Sequence, residues 1–358
     1  MTIFKKIIFL FIIFLFVSPS VIFAQEESSS SIEALVTKII EEKQIELMEN
    51  SQLYQKLELE LSTPDKKIII IENGHQPLAN VIKYSINDRV LVNLSQGVDG
   101  QEEYVIVDFI RRDSLVLLSI IFVILLLVVA KWRGLWSLLG MIFTFFVVFI
   151  FVLPRILVGD NPIIIAIIAS LIIIPISFYI AHGVNKKTTI AIVASVISLV
   201  ITAILASVFS YIGHLTGFSS EEAGMLSVNL GNLNMKGILL AGIVIGTLGV
   251  LDDITISQAA IVDELATTAK LNKPKDLYYR SMIIGKDHIT SMVNTLVLAY
   301  AGASLPLLLI FTHNPHPFSE IINYEFLAEE IIRTLVGSIG LILAVPITSL
   351  IAANWYKK

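Results

Sequence analysis

From Ser114 to the C-terminus, apolar runs of about twenty residues alternate with short charged punctuation, the pattern of helices that cross a bilayer. About seven runs can be placed, at 114–130, 135–153, 162–181, 188–212, 237–256, 288–311 and 331–354. Residues 25–112 follow another rhythm. Leu57-Glu-Leu59-Glu-Leu61 alternates with period two, and β-rich runs at Ile68–Ile71, Arg89–Leu94 and Tyr104–Phe109 follow. Turn signals separate them at Asn73-Gly74, Asn87-Asp88, Gln96-Gly97 and Asp99-Gly100. The pattern predicts an all-α polytopic membrane bundle of about seven transmembrane helices over residues 113–358. Before it comes a small β-rich domain over residues 25–112, a barrel or sandwich with an OB-like strand count. Lys5-Lys6, the apolar run Ile7–Val17 and Ala24 read as a signal peptide over residues 1–24 or a first anchor, so the β-rich domain is expected to be exported.

Charge sets the expected orientation. Lys131-Trp-Arg133, Lys186-Lys187, the segment from Lys270 to Lys286 and Lys357-Lys358 fall on one side of the spans. Asp160, Glu221-Glu222, Glu320, Glu325, Glu329 and Glu330 fall on the other. The positive-inside rule makes the basic side cytoplasmic, with the β-rich domain outside a bacterial plasma membrane and the C-terminus inside. A mean hydropathy of +0.82 excludes an ordinary soluble domain. The absence of cysteine excludes disulfides, thiolate metal sites and a cysteine nucleophile. The β-rich domain has no basic face, so no nucleic-acid partner is expected; Tyr84, Tyr104 and Phe109 read as core aromatics rather than a stacking platform. The lipid bilayer is the implied partner, and an envelope protein is a candidate partner for residues 25–112. No cofactor is expected.

Two carboxylates interrupt the fifth run. Asp252 and Asp253 sit in Gly237-ILLAGIVIGTLGVL-Asp252-Asp253-ITIS, and a carboxylate at mid-span costs about 3 kcal/mol on insertion scales. Gly242, Gly246, Gly249 and Asp253 share a helical face that Ser257 continues. The glycines read as helix-packing positions, as do Gly337 and Gly340 on the last run. The sixth run opens on Gly285-Lys286-Asp287-His288; Asp287, Ser291 and Asn294 share one face, and His288 begins an adjoining stripe with Ser291 and Thr295. Asp252-Asp253-Ile-Thr is echoed by Asp287-His288-Ile-Thr, which suggests two groups facing each other across a helical hairpin. Together these residues offer oxygen and imidazole ligands to a metal of open identity, or a proton relay; a hydrated helix end with Lys286 as counter-charge is the plainer alternative.

Lesser candidates fall elsewhere. His313-Asn-Pro-His316 reads as a solvated external loop, and His182 and His214 as interfacial residues. Ser219-x-x-Glu222 is a capping-box pattern for a short helix, Pro175, Pro306 and Pro346 are expected to kink their spans, and Arg333 is expected to snorkel outward.

The stretch Gly246-Thr-Leu-Gly249-Val-Leu-Asp252-Asp253 with Ser257, the stretch Gly285 to Gly302 and Glu330 to Pro346 resemble the YibE/F-like multi-span membrane proteins of bacteria. The resemblance covers roughly 112–356 and implies a cell-envelope location and a seven-span core behind an exported N-terminal region. It carries no established reaction or ligand. The residues favour a permease or ion-coupled transporter of a small solute or ion. A non-catalytic envelope assembly or sensing protein is the alternative. An intramembrane aspartyl hydrolase is a weaker one, because Asp252 follows Leu251 and Asp287 follows Gly285-Lys286, neither being the flanking motif of such enzymes.

Overall fold

The computed structural model describes residues 31–47, 50–76, 81–96, 102–231, 233–269, 273–312 and 316–356. They divide into two compact units, one ending at Leu125 and the other beginning at Leu126. The expected signal peptide, residues 1–24, lies outside the described residues.

In the first unit β1 (Ile32–Leu47), β2 (Asn50–Leu61), β3 (Ile68–Asn73), β4 (Arg89–Gln96) and β5 (Glu102–Phe109) form one antiparallel sheet in the order β3-β2-β1-β4-β5. β1 pairs along its length with β2, and its first residues pair with β4. Register shifts between Val36 and Lys38 and between Ile39 and Glu41 bend it, because each bulge adds twist to the strand. The sheet curls into an open half-barrel with β3 and β5 as its edges. Leu57, Leu59 and Leu61 fill the inside with Ile69, Ile71, Val90 and Val92, while Ile68 and Ile70 face out. The side-chain amide of Gln55, fully buried, donates to the Tyr84 carbonyl at 2.9 Å and accepts from the Tyr84 N–H at 2.8 Å. At Asn73-Gly74 the turn requires glycine: φ is +79° and a Cβ would stand 2.1 Å from the Leu53 carbonyl oxygen. Tyr84 is buried with its ring centroid 5.0 Å from that of Phe109, and Tyr104 packs on the same core, so all three aromatics are core residues. Burial, reinforced by Asp108 and Asp88, pushes the Tyr84 hydroxyl above the ordinary tyrosine range.

Among the described residues the helices begin with α1 (Arg112–Val147), which runs through a π-helical turn at Val148–Val152 into α2 (Leu153–Leu157). The π turn answers Pro154, whose ring would collide with a carbonyl one turn earlier in a regular helix. Lys131 breaks α1 with φ 51° and ψ −135°. A Cβ on Gly134 would lie 2.8 Å from the Leu126 carbonyl oxygen, whereas residues eight apart in a straight helix stand about 12 Å apart along its axis. The backbone therefore turns sharply at Lys131.

α3 (Pro162–His182) and α4 (Lys186–Ile212) follow, capped by Asn161 and Asn185. Next come α5 (Glu221–Leu230), α6 (Met235–Thr267), α7 (Pro274–Ala303), α8 (Leu305–Thr312), α9 (Phe318–Ile321) and α10 (Glu325–Trp355). Among the described residues, five helical stretches are long and apolar enough to cross a membrane: 112–157, α3, α4, α6 and α10. The pair α7 and α8, bent by 69° at Ser304, makes a sixth when the two are taken as one span. The sequence reaches seven by dividing 112–157 into two runs, which the structure holds in one helical stretch broken at Lys131. α6 runs unbroken past its apolar part to Thr267, and Pro175 and Pro346 lie inside continuous helices.

At the centre, α4, α6 and α10 meet on small and hydroxyl residues. Ser195 Oγ and Thr255 Oγ1 are 2.8 Å apart, and a Cβ on Gly340 would come 2.1 Å from Thr202 Oγ1. Without water to drive association, close approach and interhelical hydrogen bonds hold such helices together. The short helix α5 is capped by Ser220, whose hydroxyl accepts from Ala223 N–H, and not by Ser219 as the capping-box pattern predicts. Ser219 donates instead to Glu329. Arg333 does not snorkel: it pairs with Glu329 and Glu330, both at 2.6 Å.

Candidate functional site

Asp252 and Asp253 are separated by about 100° around α6, and the helix uses that difference. Leu248, Leu251, Ile254, Thr255 and Gln258 make its buried side, Asp253 is exposed, and Asp252 is half-buried between them. The second half of α1 approaches α3 at Gly140, where a Cβ would lie 3.5 Å from the Ser177 carbonyl oxygen. Between α1, α3 and α6 lies a cavity of about 310 Å³. α6 contributes Asp252, Leu248, Gly249 and Gly246; α3 contributes Ser177 and His182; α1 contributes Met141, Thr144 and Phe145.

The polar groups lining this cavity are Asp252, Ser177, Thr144, Ser137 and His182. Asp252 Oδ1 is buried and has no hydrogen-bond partner among the described residues. Ser177 Oγ donates to the Ile173 carbonyl at 2.7 Å, and Thr144 Oγ1 donates to the Gly140 carbonyl at 3.1 Å. Each hydroxyl has one hydrogen and has spent it, so each retains only lone pairs. His182 lines the same cavity and lies within electrostatic reach of Lys187, Arg133 and Asp253.

The glycine row of α6 also belongs here. A Cβ on Gly242 or Gly249 would meet nothing within 4 Å, and one on Gly246 would come 3.7 Å from the Tyr300 hydroxyl. Gly337 makes ordinary contact, its Cβ position lying 3.8 Å from Leu296 and Thr247 side chains; Gly340 is the close approach already described.

Asp287 and His288 are not part of this cavity. Gln258 on α6 faces Ser281 and Gly285 on α7, and Gly246 faces Tyr300. That antiparallel register brings Asp287 level with the region of Ser257, about one turn from Asp252. Asp287, Ser291 and Asn294 are exposed on α7; His288 and Ser257 are partly buried. Among the described residues no group of three or more His, Cys, Asp or Glu is placed to hold a metal ion. His313 lies outside the described residues, and His316 pairs with Glu320 at 3.1 Å.

The structure adds residues that the sequence did not single out. Gln258 is fully buried and donates to Ser349 Oγ at 2.6 Å and to the Ser281 carbonyl at 3.1 Å, joining α6 to both α10 and α7. Ser195, Ser198, Thr202 and Ser210 on α4 are buried as well. The spacing of Ser195, Ser198 and Thr202 by three and four residues was the available signal. At the end of α10, burial and a bond to Asp263 raise the Tyr356 hydroxyl above its usual range, tying this end of the helix to α6.

A family model described as YibE/F-like protein matches residues 118–358. The chain belongs to the YibE/F-like family. No curated protein and no solved structure matches it. The match begins inside α1, so the YibE/F-like region takes in the cavity, the Gln258 joint and the helices that carry them, and leaves the half-barrel outside. At the other end of the YibE/F-like bundle, Glu325 opens α10 and accepts from the Gly217 N–H at 2.9 Å and the Thr216 hydroxyl at 2.9 Å. The connection between α4 and α5 is thereby held against the start of α10.

Proposed function

We propose that this YibE/F-like protein is a permease or ion-coupled transporter of a small solute or ion, and that the cavity beside Asp252 is on its path. One observation carries the reading: Asp252, whose Oδ1 is buried without a hydrogen-bond partner among the described residues, lines a cavity within the membrane block that hydroxyl side chains also line. Intramembrane carboxylates of this kind commonly mark ion or substrate pathways. The polar stripe of Asp253, Ser257, Asp287, His288, Ser291 and Asn294 supplies a second surface along which a hydrated solute can approach. In this reading α1 crosses the membrane twice, reversing at Lys131, and the total of seven crossings places the half-barrel outside and the C-terminus inside. Residues 1–24 direct the half-barrel across the plasma membrane. The hydrolase reading has less support, since paired carboxylates must share one water and Asp287 stands outside the cavity.

The chain has no cysteine, so single replacements report cleanly. In sealed vesicles, Ser177→Cys and Gly249→Cys should react with a membrane-impermeant maleimide, while lipid-facing Leu171→Cys should not. If Ser177→Cys proves as unreactive as Leu171→Cys, the path reading fails.

One observation favours a role for the other unit. β3 and β5 are unpaired edges with exposed Ile68, Ile70, Val105 and Val107, a surface suited to an envelope partner. An assembly or sensing role would rest on that surface.

A further inference from the structure

The cavity beside Asp252 has a chemistry more specific than "polar". Its acceptors include the Asp252 carboxylate and the hydroxyl oxygens of Ser177 and Thr144, whose hydrogens are already committed to backbone carbonyls. Beside these oxygens a ligand has to bring its own N–H or O–H groups, and the Asp252 carboxylate facing it is negative. An anion is disfavoured there on both counts, while Ser137 and His182, which also line the cavity, can donate. Size narrows the class further. A cavity of about 310 Å³ has the volume of roughly ten waters at their liquid share, far more than a bare monovalent ion fills. Met141, Phe145 and Leu248 supply an apolar part of its wall. An aromatic ring and a thioether suit the hydrocarbon part of an organic cation.

We propose that the cavity takes a small primary ammonium compound, its N–H groups directed at Asp252, Ser177 and Thr144 and its hydrocarbon body lying on Met141, Phe145 and Leu248. This rests on the reading of the cavity as a transport path and names the substrate class for it. Gly249 fits the same picture: space left open beside its Cα is space available to the ligand.

The test is calorimetric titration of the full-length protein in lipid nanodiscs with n-propylammonium chloride, against tetramethylammonium chloride and sodium chloride at equal ionic strength. Saturable propylammonium binding is expected, weakened about tenfold or more by Asp252→Asn, the scale of a lost charge-assisted hydrogen bond. Tetramethylammonium, which has the charge and no N–H, should bind about tenfold more weakly for the same reason. Gly249→Leu keeps the carboxylate and fills the cavity without a backbone clash, and should abolish binding. Absence of saturable propylammonium binding overturns the proposal, and so does binding that survives both variants. Sodium binding as tightly as propylammonium also overturns it, since the site would then be an inorganic-ion site. The outcome is separable from that of the path reading: a water-accessible Ser177→Cys with no propylammonium binding removes the amine and leaves the path.

Discussion

At Gly340 the helices α4 and α10 come so close that a Cβ would stand 2.1 Å from Thr202 Oγ1, a hydroxyl that already donates to the Ser198 carbonyl at 2.9 Å. Rotating Thr202 away would sacrifice that bond, so Gly340→Ala should destabilise the bundle by about 1–3 kcal/mol, as overpacking does. Thr202→Ala in the same chain removes the obstructing oxygen and should restore most of the loss. Gly249→Ala, where the added methyl meets nothing, should change stability by less than about 1 kcal/mol, with better helix propensity favouring the alanine. Thermal unfolding of the purified full-length protein in detergent compares the variants; equal losses at the two glycines would contradict the geometry. The sequence shows both as small residues at helical spacing. It does not show which one faces a neighbouring hydroxyl and which a cavity.

Among the elements, the strands and spans were legible where one physical demand dominates. Leu57, Leu59 and Leu61 alternate because β2 has one wet face, and the long apolar runs exist because lipid offers their backbones no hydrogen bonds. β1 was not read, because Glu41-Glu42-Lys43 interrupts its apolar pattern and two bulges shift its phase. The cavity was legible only at Asp252, since its other walls come from α1 and α3, where Thr144 and Ser177 look like ordinary packing residues. The expected meeting of Asp252 with Asp287 depends on the register of α6 against α7, which one chain's letters do not specify. Glu325 gives an element-level test. With Glu325→Ala the Thr216 and Gly217 amides lose their acceptor, and their hydrogen exchange should quicken about tenfold, the loss of charged hydrogen bonds. Exchange unchanged there, followed by mass spectrometry, would mean that the connection after α4 holds its shape unaided.

Across the whole molecule, topology turns on the break at Lys131. The stretch 112–157 has 46 residues, which at about 1.5 Å each would extend roughly 70 Å, over twice the roughly 30 Å of a bilayer's hydrocarbon core. A single crossing wastes half of that length; two crossings use it. In intact cells Val158→Cys should therefore react with an impermeant maleimide, and Trp132→Cys only after permeabilisation. Both side chains are well exposed, at 79% and 76%, so local burial does not confuse the readout. Val158→Cys reacting only after permeabilisation would mean a single crossing. The division into half-barrel and bundle was plain from composition, whereas the half-barrel's open edges follow from the strand order and are not written in any one strand.

Gln258 has a consequence for how such a chain can change over generations. Its amide fits into the notch left by Gly285, within 3.1 Å of where a Cβ would be, and it bonds to Ser281 and Ser349 on two different helices. Gln258, Gly285 and Ser349 cannot drift alone, because a new side chain at any of them leaves a buried polar group unmatched or without room, whereas Ser281 contributes its main-chain carbonyl. Substitutions there should arrive in lineages as linked sets, making this joint a slow-moving locus in an otherwise exchangeable greasy bundle.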